Sequence, residues 1–115
     1  MHIDQYSFGR ITVNGRTYTS DVIILPEEVN DSWWRAEGHE VCIEDLDPVF
    51  EASPEILIVG TGASGLMKVS AEASELMDRR CDQVHVLKTP QAVEKYNELE
   101  KTTDRRVVAA LHLTC

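Results

Sequence analysis

Ile56-Leu57-Ile58-Val59-Gly60-Thr61-Gly62-Ala63-Ser64-Gly65 is the stretch whose reading decides the fold. Its first four residues form a continuous apolar run, the pattern of a strand covered on both faces rather than one. A glycine-rich bend follows. Beyond it Val69, Ala73, Leu76 and Met77 recur at helical spacing, while Glu72, Glu75, Asp78 and Arg79 take the opposite side. A buried strand leading into an amphipathic helix is the opening step of a parallel α/β unit.

The same step repeats downstream. Val84, Val86 and Leu87 make the next strand, and Thr89-Pro90 supplies an N-cap and a first-turn proline for a helix that turns Ala92, Val93, Tyr96 and Leu99 inward. Val107 to Leu113 reads as the last strand. The order strand, helix, strand, helix, strand across residues 55–115 predicts right-handed crossovers.

Residues 1–44 read as β-rich. Ile11 and Val13 alternate with polar residues up to Asn14-Gly15, which provides the two positive-φ positions of a type I′ hairpin turn and sets Ile11 opposite Tyr18. Val22 to Leu25 is a strand stopped by Pro26. From Pro26 to Glu40 periodicity is lost around Trp33-Trp34-Arg35, giving a loop or short irregular strands. Asp47-Pro48 opens a short helix carrying Val49 and Phe50, which ends near Ser53-Pro54. The chain is therefore read as α/β: an N-terminal antiparallel hairpin followed by a βαβαβ half, in a single domain over residues 1–115.

Composition narrows the function classes. Twenty acidic residues against 11 basic ones leave a formal charge of -9, which repels phosphate backbones and argues against nucleic acid as a partner. The acids are scattered and read as solvated faces. A chain of this length buries roughly two-thirds of its unfolded surface, so neither metal nor disulfide is needed for stability. Cys42, Cys81 and Cys115 are odd in number, widely spaced and without a Cys-x-x-Cys pair, which fits a reducing compartment. No basic patch leads into an apolar run at the N-terminus, and no apolar stretch approaches ~20 residues. A cytoplasmic protein without membrane insertion is expected.

Gly60 to Gly65 satisfies G-x-G-x-x-G between a predicted strand and a predicted helix, the context that lifts this motif above chance. Free amides there would cradle an anion or small ligand through Gly60, Thr61, Gly62, Ser64 and Gly65, with Lys68 neutralising charge. Against a dinucleotide, Lys88 and Thr89 stand where an acid should accept the ribose hydroxyls, and Leu66, Met67 and Lys68 delay the helix. A purely structural tight turn ranks first, an anion loop second and a dinucleotide third, and no cofactor is expected.

Trp33-Trp34-Arg35 has the residue types enriched at interface hot spots and is read as a protein-interaction segment, unless one indole seals the core. His112 and Cys115 put an imidazole and a thiol near one strand end, but residues three apart on a strand face opposite ways. They would meet only if the terminus curls back. His2, His39, His85 and His112 have no metal-ligand spacing, so no metal is expected.

Tyr6-Ser7-Phe8-Gly9, Gly15-Arg16-Thr17-Tyr18, Asp21, Trp34-Arg35, Gly38-His39, Asp45-Leu46, Pro54-Glu55, Gly60-Thr61-Gly62 with Gly65, Thr89, Ala92, Tyr96-Asn97 and His112-Leu113-Thr114-Cys115 together resemble domain-of-unknown-function family 498. That group includes complex I assembly factor 3-like and adipogenesis-associated proteins. The resemblance spans nearly the whole chain and implies a three-layer β/β/α domain with a mixed sheet. For eukaryotic relatives it implies a part in building a respiratory complex, with no established enzymatic activity. Any site it implies would fall on Gly60, Thr61, Gly62 and Gly65, with His112 and Cys115 as accessories. The function expected is a non-catalytic interaction or assembly module; the alternative is a small anionic ligand or nucleotide held at the glycine turn.

Overall fold

The computed structural model describes residues 1–115. Along the chain run β1 (Ile3–Ser7), β2 (Arg10–Val13), β3 (Arg16–Tyr18), β4 (Val22–Ile24), β5 (Val29–Asn30), β6 (Glu40–Val41) and a 3-10 turn (Ile43–Leu46). Then come α1 (Asp47–Glu51), β7 (Ile56–Thr61), β8 (Lys68–Val69), α2 (Ala71–Arg80), β9 (Gln83–Leu87), α3 (Thr89–Thr102) and β10 (Val107–His112).

The centre is a mixed sheet in the order β5-β4-β10-β7-β9. β7 runs parallel to both β9 and β10, whereas β4 is antiparallel to β10 and to β5. Every residue of β7 and of β10 is buried, as the apolar run at Ile56 requires. Alternation then splits the core in two. Ile56, Ile58, Ala109 and Leu111 face a layer formed by α3 and the sheet β1-β2-β3; Leu57, Val59, Val108 and Ala110 face α1, α2 and the 3-10 turn. The result is a mixed three-layer α/β fold.

Chain direction explains which helix goes where. The crossover from β7 to β9 steps one way along the sheet, and that from β9 to β10 steps back across β7. Two crossovers of the same hand but opposite direction must lie on opposite faces. Ala73 and Met77 of α2 accordingly sit in one core cluster, and Ala92 and Tyr96 of α3 in the other.

The hairpin forms as its sequence requires, with Ile11 paired to Tyr18 and positive φ at Asn14 and Gly15. β1 adds a third strand that the hydrophobic pattern does not reveal, since Asp4 and Gln5 both face solvent. The Asn97 side chain of α3 holds it, accepting from the Ile3 amide at 2.9 Å and donating to the Ile3 carbonyl at 2.8 Å. Val69, expected in the second helix, belongs instead to β8, which pairs in parallel with β6. α2 begins only at Ala71, where Ser70 Oγ accepts the Ala73 amide at 3.1 Å.

Candidate functional site

The loop after β7 is a socket for the chain's own C-terminal segment. A Cβ at Gly60 would stand 2.8 Å from both Leu111 Cδ2 and Thr89 Oγ1. Gly62 has φ +103°, and a Cβ there would lie 2.2 Å from the carbonyl carbon of Cys115. Gly65, at φ +73°, lies under the Lys88 stem, whose Cγ would be 3.0 Å from an added Cβ. These glycines admit neighbouring segments of the same chain.

The amides of the bend are spent in the same way. Gly62 donates to Thr89 Oγ1 at 2.8 Å, Ala63 to the Thr114 carbonyl at 2.6 Å and Leu66 to the Cys115 carbonyl at 3.0 Å. Gly65 and Met67 donate to Gly62 and Thr61 carbonyls. Five amides from Gly62 to Met67 are thus bonded within the chain, as a structural tight turn requires, and an anion seated on them would have to displace the C-terminal segment. Thr61 is buried with its hydroxyl donating to the Leu87 carbonyl, Ser64 is exposed, and Lys68 is drawn into β8, where its backbone N–H donates to the His39 carbonyl.

A second group of residues gathers beside this socket. Asp21 precedes β4 and His112 ends β10, so the antiparallel register that pairs Val22 with Leu111 brings these two together as well. His112 Nδ1 lies 2.8 Å from Asp21 Oδ2, the Leu113 amide donates to Asp21 Oδ1 at 2.8 Å, and Arg35 Nη2 donates to Asp21 Oδ2 at 2.7 Å. Nδ1 must carry a hydrogen to serve the carboxylate, so its 3.2 Å approach to Arg35 Nη2 is a contact between two donors. Burial pushes the Asp21 carboxyl up, but the bonds from His112, Leu113 and Arg35 outweigh it and hold it below its ordinary 3.8. Tyr6 completes the rim: its hydroxyl donates to the Leu113 carbonyl, and burial with the nearby Asp21 charge pushes it up.

Asp21 orienting Nδ1–H leaves His112 Nε2 as the free nitrogen, the geometry of a general base awaiting a nucleophile. The nearest hydroxyl, Thr114 Oγ1, is 3.5 Å away, too long for a working hydrogen bond. Cys115 does not reach it. The terminus does turn inward, but toward Leu66 rather than toward the imidazole. Burial and the neighbouring acids Glu40, Asp45 and Glu44 push the Cys42 thiol up; burial does the same to Cys81. All three cysteines are free thiols, and no group of His, Cys, Asp or Glu converges as a metal cage.

The three residues of the tryptophan segment separate completely. Trp33 is buried in the core, its indole donating to the Asp45 carbonyl at 3.0 Å. The Arg35 side chain, only 6% exposed, stacks its guanidinium 4.6 Å from the Trp33 ring centroid. Neither is available to a partner. Trp34, between them, is 77% exposed. Phe8, 65% exposed, adjoins Gly9, whose amide bonds the Leu113 carbonyl, and Leu66, 58% exposed, holds the Cys115 carbonyl. Phe8 and Leu66 are thus exposed apolar side chains at or beside backbone bonds to Leu113 and Cys115.

A three-layer domain with a socketed C-terminal segment and a buried Asp–His–Arg cluster at the carboxyl end of its parallel strands defines the class. The sequence profile of the family described as Protein of unknown function (DUF498/DUF598) matches residues 3–112, and the chain belongs to that family. Similar solved structures span bacteria and archaea. A protein from Bartonella henselae described as an outer membrane protein is 27% identical, with a TM-score of 0.81 over 98% of this chain and 94% of that one. One from Rhodopseudomonas palustris is 27% identical, with a TM-score of 0.74 over 96% and 81%. A conserved hypothetical protein from Pyrococcus horikoshii OT3, at 24% identity, a TM-score of 0.81 and full coverage of both chains, shares the fold. No helix of this chain is long and apolar enough to cross a membrane.

Proposed function

We propose that this protein is a non-catalytic interaction module that docks on a partner protein through the surface around Trp34, acting in the cytoplasm. The observation that carries this reading is the 77% exposure of an indole fixed between two buried neighbours, Trp33 and Arg35. A large aromatic presented on rigid backbone costs little ordering entropy on binding, which is why such residues dominate interface energetics. Assembly of a larger complex, with respiratory complex I as the case suggested by the family resemblance, is the task this proposal puts first.

The test is capture from the native cell extract by the tagged full chain and by Trp34→Ala. The wild type is expected to retain a specific partner that Trp34→Ala loses, with both forms melting at the same temperature because the indole makes no core contact. Identical capture by the two forms, or none by the wild type, overturns the reading.

A further inference from the structure

β9 is the outermost strand of the central sheet and its longest open edge. The opposite edge, β5, has two residues. Backbone direction along β9 follows from one bond. The Gln83 amide donates to the Glu55 carbonyl at 3.3 Å, and Gln83 stands in register with Ile56. In a parallel ladder, alternate residues send both backbone groups to the same neighbour. Gln83, His85 and Leu87 therefore face β7, and the amides and carbonyls of Val84 and Val86 point out of the sheet. Sheets protect such edges with proline, lysine or a bulge inside the strand. Gln83-Val84-His85-Val86-Leu87 has none of these, and Val86 is 44% exposed beside Val84, which packs on the core under α2.

We infer that two copies of this chain join edge to edge through β9, antiparallel about a twofold axis at His85. In that register Val84 faces the partner's Val86 and each exchanges both of its outward backbone bonds. A shift by one pair in either direction leaves an outward residue without its match. The same register sets Asp82 against the partner's Lys88 at both ends of the pairing. Asp82 already gives Oδ2 to Arg105 at 3.0 Å, which leaves Oδ1 for the lysine. The charges thus select a second copy of this strand over an unrelated one, and Val86 of each copy covers Val84 of the other.

Sedimentation equilibrium of the full chain at submillimolar concentration is expected to show twice the 12.9 kDa chain mass. Val86→Pro removes one outward amide from each copy, hence two hydrogen bonds from the twofold interface, and is expected to raise the dissociation constant at least about tenfold. Lys88→Glu weakens the dimer by like-charge repulsion, and adding Asp82→Lys to it restores association; rescue by a second charge change separates an interface effect from misfolding. His85→Cys places two thiols across a non-hydrogen-bonded pair, whose Cα atoms lie about 4.5 Å apart, close enough for a disulfide. On mild oxidation it should give a covalent dimer where the wild type, with Cys42, Cys81 and Cys115, does not. A wild type that stays monomeric overturns the inference. So does a dimer that His85→Cys fails to cross-link and that the charge changes leave untouched.

Discussion

Two regions meet at the carboxyl end of the parallel strands, and they are made of opposite materials. The Gly60–Gly65 turn is backbone: its glycines remove side chains so that Thr114 and Cys115 can lie against it. The Asp21–Arg35–His112 cluster is side chain, drawn from positions up to 91 residues apart. The contiguous motif, which looks like a ligand loop, closes on the chain itself. The concentration of charge, which no motif announces, lies one strand away. Local spacing identifies where a chain must bend, whereas chemistry assembled by strand pairing becomes visible only with the register.

Both regions can be broken separately. Gly62→Val is expected to have the largest effect, since it combines a left-handed backbone position with a clash against Cys115. About 1–2 kcal/mol for the conformation and about 1–3 kcal/mol for overpacking give a loss near the upper end of single-residue changes, measured by urea unfolding. Gly15→Ala is the control, because φ is +81° there but nothing lies within 4 Å; it should lose only the conformational part. Equal losses at the two glycines would mean that the turn is not a socket.

Asp21→Asn tests the other region. It keeps the shape but removes the only carboxylate that the buried Arg35 guanidinium contacts. Stranding a buried charge costs about 3–5 kcal/mol, and the 17% exposure of Asp21 places this change at the low end, about 3 kcal/mol. A smaller effect, about 1–2 kcal/mol, is expected for Thr89→Val, whose hydroxyl accepts the Gly62 amide and donates to the His112 carbonyl at 2.6 Å. Thr89 is the bridge between the two regions. A double-mutant cycle with Asp21→Asn should therefore show coupling of at least about 0.5 kcal/mol, and strict additivity would show that the regions are independent.

Thr89 also shows where sequence reading stops. Thr89-Pro90 is legible as a helix start, and α3 does begin there, but Lys88 is the N-cap residue and the hydroxyl is used for long-range stitching. Ile56 to Val59 declared a doubly covered strand because both faces of that strand carry the core. β1 was silent because its outward Asp4 and Gln5 leave too few apolar positions for a period of two. Asp21 has no local signal at all; only the pairing of Val22 with Leu111 puts it beside His112. Trp33 and Trp34 are the same residue type in adjacent positions. Which indole enters the core depends on the path of the whole segment between β5 and β6.

Acid should separate the two regions most gently. The folded Asp21 carboxyl is held below its ordinary 3.8, so the folded state binds fewer protons there than the unfolded state. Stability from this group is complete above the unfolded value and is lost as pH falls through the folded one. The informative quantity is the difference between wild type and Asp21→Asn. That difference should shrink as pH drops below 3.8, while the difference between wild type and Gly62→Val, which involves no titrating group, should stay level. If the Asp21→Asn difference held constant through the acid range, the carboxylate would not be what binds Arg35 and His112 together, and the contrast between a backbone socket and a charged cluster would fail.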